Sequence, residues 1–133
     1  MNISSLVARS SAAYLLLGGA VMLFGADLVF PVVVPNFPPS GAFIGQMIAG
    51  AWLALAAMNW NSRGQVLGGI YGRPVVYANV VLFTVTALGV GKAVMVVGAS
   101  PWLWVVVVPS GIFAGVYGVL MLRGPFDGVA AKS

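Results

Sequence analysis

The chain contains no cysteine, no histidine and no glutamate. Without cysteine there is no disulfide, no thiolate nucleophile and no cysteine-bound metal. Without histidine the commonest general base, the commonest metal ligand and the usual haem ligand are all missing. A Ser-His-Asp arrangement is impossible, and there is no glutamate for a carboxylate pair. An enzyme here would have to work with Lys, Asp, Tyr and Ser alone. No catalytic residue, metal site or cofactor is therefore expected, and the chain is not expected to be an enzyme.

Charge is also scarce. Only 6% of the 133 residues are charged, against 61% hydrophobic, where soluble domains average about 25% charged. With a mean hydropathy of +1.06, a water-soluble monomer is not expected. The bases are Arg9, Arg63, Arg73, Lys92, Arg123 and Lys132, and the acids are Asp27 and Asp127. The resulting pI near 10.0 does not point to nucleic acid, because five of the six bases flank apolar runs, where they act as topology signals.

Those apolar runs predict an all-α integral membrane protein: one transmembrane domain over residues 1–133, with spans at 12–30, 41–58, 75–98 and 102–122. Each is close to the roughly 20 residues a membrane helix needs. The first run resembles a signal peptide, but Asp27 falls where cleavage would occur and no A-x-A-like site follows. A retained helix is therefore expected. Four prolines within 31–39 argue against helix there and predict an extended apolar loop against the membrane surface; a plain connecting loop is the alternative. Pro74 opens the third span as a good first-turn residue, and Pro109 inside the fourth predicts a kink unless neighbours satisfy the freed carbonyl.

In a four-span threading Arg9, Arg63, Arg73, Arg123 and Lys132 fall on one side. The opposite loops, 31–40 and 99–101, hold no Lys or Arg. That asymmetry predicts both termini in the cytoplasm of a cell with the chain in its inner membrane. The heptapeptide Pro39-Ser-Gly-Ala-Phe-Ile-Gly45 recurs 70 residues later as Pro109-Ser-Gly-Ile-Phe-Ala-Gly115, identical at five of seven positions. Tandem duplication of a two-helix hairpin is one reading; chance in a Gly-, Pro- and apolar-rich chain is the other.

Lipid supplies little drive for helices to associate, so small residues that admit close approach are candidate contacts. Gly18 and Gly25 in span one, Gly41 and Gly45 in span two, and Gly111, Gly115 and Gly118 in span four fit that role. They serve either packing within the bundle or a homo-oligomer interface. Asn79 lies about 140° around the third helix from Lys92, so it either bonds a neighbouring helix near the cytoplasmic end or faces a partner subunit.

Lys92 is the one charge among the 24 residues from Val75 to Gly98, and Asp27 is the lone charge of span one. Counted from Ala12 and Val75, they lie roughly 22 and 26 Å into a core of about 30 Å, which permits an intramembrane ion pair. That pair would be an outward gate, a structural bridge, or no pair at all with Lys92 snorkelling to the headgroups. The connection at 59–74 lacks the Gly-Lys-Ser/Thr of a phosphate loop. Its Trp60, Arg63, Tyr71 and Arg73 suit either an anionic lipid headgroup or topology alone.

With four spans, cytoplasmic termini and the run Gly68-Gly-Ile-Tyr-Gly-Arg-Pro74, the chain resembles small bacterial DoxX-like and related uncharacterised inner-membrane proteins, a resemblance of overall shape that implies no activity. The expected function is an accessory or structural subunit, or assembly partner, of a membrane complex. Its partners would be the lipid bilayer and a second copy or a larger assembly, with no nucleic acid. The alternative is a small oligomeric transporter or channel using Asp27 and Lys92.

Overall fold

The computed structural model describes residues 2–126; Asp127 and Lys132 lie outside them. Among the described residues there is no strand. Four helices are long and apolar enough to cross a membrane: α1 (Ile3–Val33), α2 (Ala42–Asn61), α3 (Arg73–Lys92) and α4 (Trp104–Arg123).

Helix α1 departs most from expectation. It starts nine residues before Ala12 because Asn2 caps it: the Asn2 side-chain oxygen accepts from Ser5 N–H at 2.8 Å, satisfying a donor the first turn would otherwise strand. It also continues through Pro31 to Val33, where an extended loop was expected. An interior proline removes one backbone donor, and the helical path breaks six residues earlier, at Gly25 (φ −129°, ψ 15°). The Val34 N–H closes the end on the Phe30 carbonyl at 2.8 Å. By contrast, α4 runs unbroken through Pro109. The interruption expected there falls at Gly25 instead, since glycine has no Cβ to resist the change of direction.

The third span is reached by α3 followed by one π turn, Ala93–Val97, and a left-handed Gly98 (φ 79°). The neighbouring Ser100 N–H donates to the Val33 carbonyl at 2.8 Å, tying the α3–α4 connection to the end of α1. At the other end, the 65–72 connection folds inward: Leu67 is fully buried. Gly68 (φ +87°) approaches so closely that a Cβ there would lie 3.0 Å from Pro125 N and 3.1 Å from the Gly124 carbonyl carbon.

The helices pair as two antiparallel hairpins, α1 with α2 and α3 with α4. The first hairpin is tight. A Cβ on Gly19 would lie 2.8 Å from the Leu53 side chain, and one on Gly45 2.6 Å from Ala26 Cβ. Between the hairpins lies a layer of aromatic rings. Tyr14 of α1 stands 5.6 Å from Trp52 of α2, 6.1 Å from Phe83 of α3 and 5.7 Å from Phe113 of α4, centroid to centroid. Phe83 further stacks on Tyr117 at 6.0 Å. The outer surface is apolar, with Phe24, Leu28, Val32, Leu88 and Leu122 all exposed. In water such a surface marks an aggregation hazard; against hydrocarbon it is the surface a span requires. The heptapeptide at 39–45 forms a 3-10 turn and the start of α2, whereas its counterpart at 109–115 lies inside α4.

Candidate functional site

The most concentrated chemistry in the molecule is a buried polar cluster to which all four helices contribute. Ser11 (α1), Asn59 (α2) and Asn79 (α3) are fully buried, as are Tyr117 and Ser110 of α4. The two asparagines pair reciprocally: Asn79 Nδ2 donates to Asn59 Oδ1 at 2.7 Å, and Asn59 Nδ2 donates to Asn79 Oδ1 at 2.9 Å. The second N–H of Asn59 reaches Ser11 Oγ at 3.0 Å, and that of Asn79 reaches the Val75 carbonyl at 2.7 Å. All four amide donors are thereby used.

Proton bookkeeping orders the rest. Ser11 Oγ lies 3.2 Å from the Ala8 carbonyl and 2.8 Å from the Tyr117 hydroxyl, but it has one proton to give. A carbonyl only accepts, so the Ser11 proton goes to Ala8 and Tyr117 donates to Ser11. Ser11 then donates one bond and accepts two. A second rung lies further along: Tyr14 OH donates to the Val106 carbonyl at 3.0 Å, which leaves Ser110 Oγ to donate to Tyr14 at 3.0 Å. Val106 adjoins Val105, whose carbonyl Pro109 leaves without its helical donor, so α1 hydrogen-bonds α4 where its own ladder is weakest. With Ser11 and Asn79 each closing one donor on their own helix and the remaining donors reaching another helix, the cluster acts chemically as a clasp. It contains no carboxylate, ammonium or guanidinium, and the hydroxyls of its two tyrosines are already hydrogen-bonded to Ser11, Ser110 and the Val106 carbonyl.

The arginines lie just outside this layer. Arg9 precedes Ser11 by two residues, Arg63 follows Asn59 by four, Arg73 precedes Asn79 by six and Arg123 follows Tyr117 by six. At 1.5 Å per residue they sit about 3–9 Å beyond the clasp, all towards one end. Two clefts open there. Arg9 and Arg63 share one of about 550 Å³ with Asn2, Ser5, Asn61 and Gly64. Arg73 and Arg123 share another of about 160 Å³ with Tyr77 and the end of α4. Of the residues expected to meet a lipid headgroup, Trp60 and Arg63 come together: the guanidinium stacks 4.5 Å from the indole centroid and Nη1 donates to the Trp60 carbonyl at 2.6 Å. Arg73 goes instead to the α4 side, and Tyr71 projects outward, fully exposed in character.

Asp27 and Lys92 are not brought together. Both side chains are exposed and no ion pair joins them. The early start of α1 puts Asp27 18 residues beyond Arg9, and Lys92 is 19 beyond Arg73, distances of about 27 and 28 Å along the helices. The two charges thus stand near the opposite end from the arginines.

The glycines divide. Gly18 and Gly45 seat α1 on α2, and Gly41 seats Phe37, whereas a Cβ on Gly25, Gly111, Gly115 or Gly118 would meet nothing within 4 Å. Those four therefore do not seat a neighbour within this chain. Among the described residues no cluster of three or more His, Cys, Asp or Glu could hold a metal. The clasp partners Ser11, Asn59, Tyr117, Tyr14 and Ser110 were not singled out from sequence. The usable signal was depth: measured from the arginines, Asn59 and Asn79 fall at nearly the same level of adjacent helices, where an amide in lipid needs a partner. Comparison of the chain with family models, with curated proteins and with solved structures finds no match.

Proposed function

We propose that the protein is an integral membrane protein acting as an accessory or structural subunit, or assembly partner, of a membrane complex, with both termini on the cytoplasmic side. The observation that carries this reading is the clasp: one buried polar side chain from each helix, Ser11, Asn59, Asn79 and Tyr117, is hydrogen-bonded to another, which suits a rigid scaffold and not a substrate pathway. The open Gly111, Gly115 and Gly118 face of α4 supports a partner, because small residues let another helix approach closely. The orientation is supported by the arginine end and by the distance of about 27–28 Å to Asp27 and Lys92, close to the roughly 30 Å of hydrocarbon. At that level the two charges reach headgroups and need no mutual bridge.

Purification in mild detergent from cells expressing the natural neighbours tests the reading. A stoichiometric membrane partner, or a homo-oligomer, lost on Gly115→Leu is the expected result. A monomer that instead carries ion or solute flux in liposomes, abolished by Asp27→Asn or Lys92→Met, would replace it with the transport reading.

A further inference from the structure

The four arginines at one end sort into two clefts that differ in size and in the residues that line them. The Arg73–Arg123 cleft is small, and apolar side chains of Val76, Leu120 and Met121 share its lining. The Arg9–Arg63 cleft, at about 550 Å³, is more than three times larger, and the side chains around it carry two guanidiniums, the Asn2 and Asn61 amides and the Ser5 hydroxyl, with no acid among them. Arg63 is also held in place before any ligand arrives. Its guanidinium is stacked on Trp60 and anchored to the Trp60 carbonyl, so little side-chain freedom remains to be lost on binding. A guanidinium presents its donors in a planar fork that matches phosphate oxygens, and neutral amides and hydroxyls complete such a shell.

We propose that the cleft between the start of α1 and the end of α2 binds a phosphate group through Arg9 and Arg63, with Asn61 and Ser5 as supporting donors. Its position, about 3–6 Å outside the clasp, is the headgroup level of a chain embedded through its four helices. The phosphate of an anionic phospholipid is therefore the natural source, and a free phosphate ion is the other. The site rests on the membrane-embedded reading only for that choice of source.

The test uses the full chain in nanodiscs of nine parts phosphatidylcholine to one part phosphatidylglycerol, with lipid retained through gradual delipidation counted by native mass spectrometry. Arg63→Gln and Arg123→Gln remove one charge each from the same end, so diffuse attraction predicts equal effects. The expected result is a roughly tenfold loss of retained phosphatidylglycerol for Arg63→Gln, the size of one charge-assisted hydrogen bond, and less than twofold for Arg123→Gln. Arg63→Lys, which keeps the charge but not the fork, is expected in between and guards against misfolding of the glutamine variant. In a second arm, inorganic phosphate is added to pure phosphatidylcholine discs: a protective thermal shift lost in Arg63→Gln assigns the free ion as a ligand and upholds the site. Equal losses in the two glutamine variants, or no preference for phosphatidylglycerol together with no response to phosphate, would overturn it. Failure of the wild type to enter the discs at all would instead count against the membrane reading.

Discussion

The asparagine pair gives the sharpest prediction. Asn79→Leu keeps roughly the volume of the side chain but removes both bonds to Asn59, at 2.7 and 2.9 Å. It strands a carbonyl oxygen and one N–H of Asn59, a residue with 0% exposure. Interhelical bonds in membrane proteins contribute about 0.6 kcal/mol on average and up to about 1.7, and a stranded buried polar group costs about 1–3 kcal/mol more. The single substitution should therefore destabilise by about 2–4 kcal/mol. Asn59→Leu should cost at least as much, because it also removes the donor to Ser11 at 3.0 Å. The double variant leaves no stranded amide, so its loss should not exceed that of the worse single, a coupling of about 2 kcal/mol. Reversible unfolding in bicelles, followed by helical circular dichroism against SDS fraction, measures all three. Additive losses would refute the argument, since they would mean that each asparagine finds other partners and the reciprocal pair is not a unit.

Three further outcomes follow from the same geometry. Tyr117→Phe keeps the ring in the aromatic layer but deletes the proton given to Ser11, and should cost about 0.5–1.5 kcal/mol. Tyr14→Phe, which strands Ser110 as well, should cost more, and Ser110→Ala in its background should add almost nothing in the same assay. Gly45→Ala sets a Cβ against Ala26 and Phe30 and should destabilise by about 1–3 kcal/mol. Gly115→Ala meets open space and should stay within about 0.5 kcal/mol, a contrast that thermal unfolding in detergent will read. Asp27→Asn and Lys92→Met should be additive to within about 0.5 kcal/mol, as expected of exposed residues without a shared contact; a larger coupling would restore the ion pair.

Much of this protein is legible without coordinates, and the reason is that the bilayer acts on sequence directly. Hydrocarbon demands long apolar helices, so composition and run length alone yield four of them and place their middles. The missing residue types likewise exclude whole chemistries whatever the fold. Ends were harder, because they are decided by local hydrogen bonds: Asn2 capping Ser5 moved the start of α1, and Gly25 took up a bend that the prolines alone suggested elsewhere. The glycine stripes show where one-dimensional reading stops. Helical spacing puts Gly111, Gly115 and Gly118 on one face just as it puts Gly41 and Gly45 on another, yet only the contacts, of Gly45 with α1 and of Gly41 with Phe37, distinguish a seat from an open surface.

The partners of polar groups belong wholly to the tertiary structure. Asp27 and Lys92 drew attention because charge is rare in apolar segments, but rarity says nothing about what a side chain meets, and these two meet no common partner. Ser11, Asn59, Asn79 and Tyr117 are ordinary in sequence, spread across four helices, and become one network only when the two hairpins face each other. A hydrogen bond needs its atoms within about 3 Å, and separations of 48 and 106 residues, as between Ser11 and its partners Asn59 and Tyr117, are closed by packing alone. The sequence by itself determined that the chain is four apolar helices with arginines gathered at one end. Which helix meets which, and therefore which polar group is satisfied, was decided by the fold.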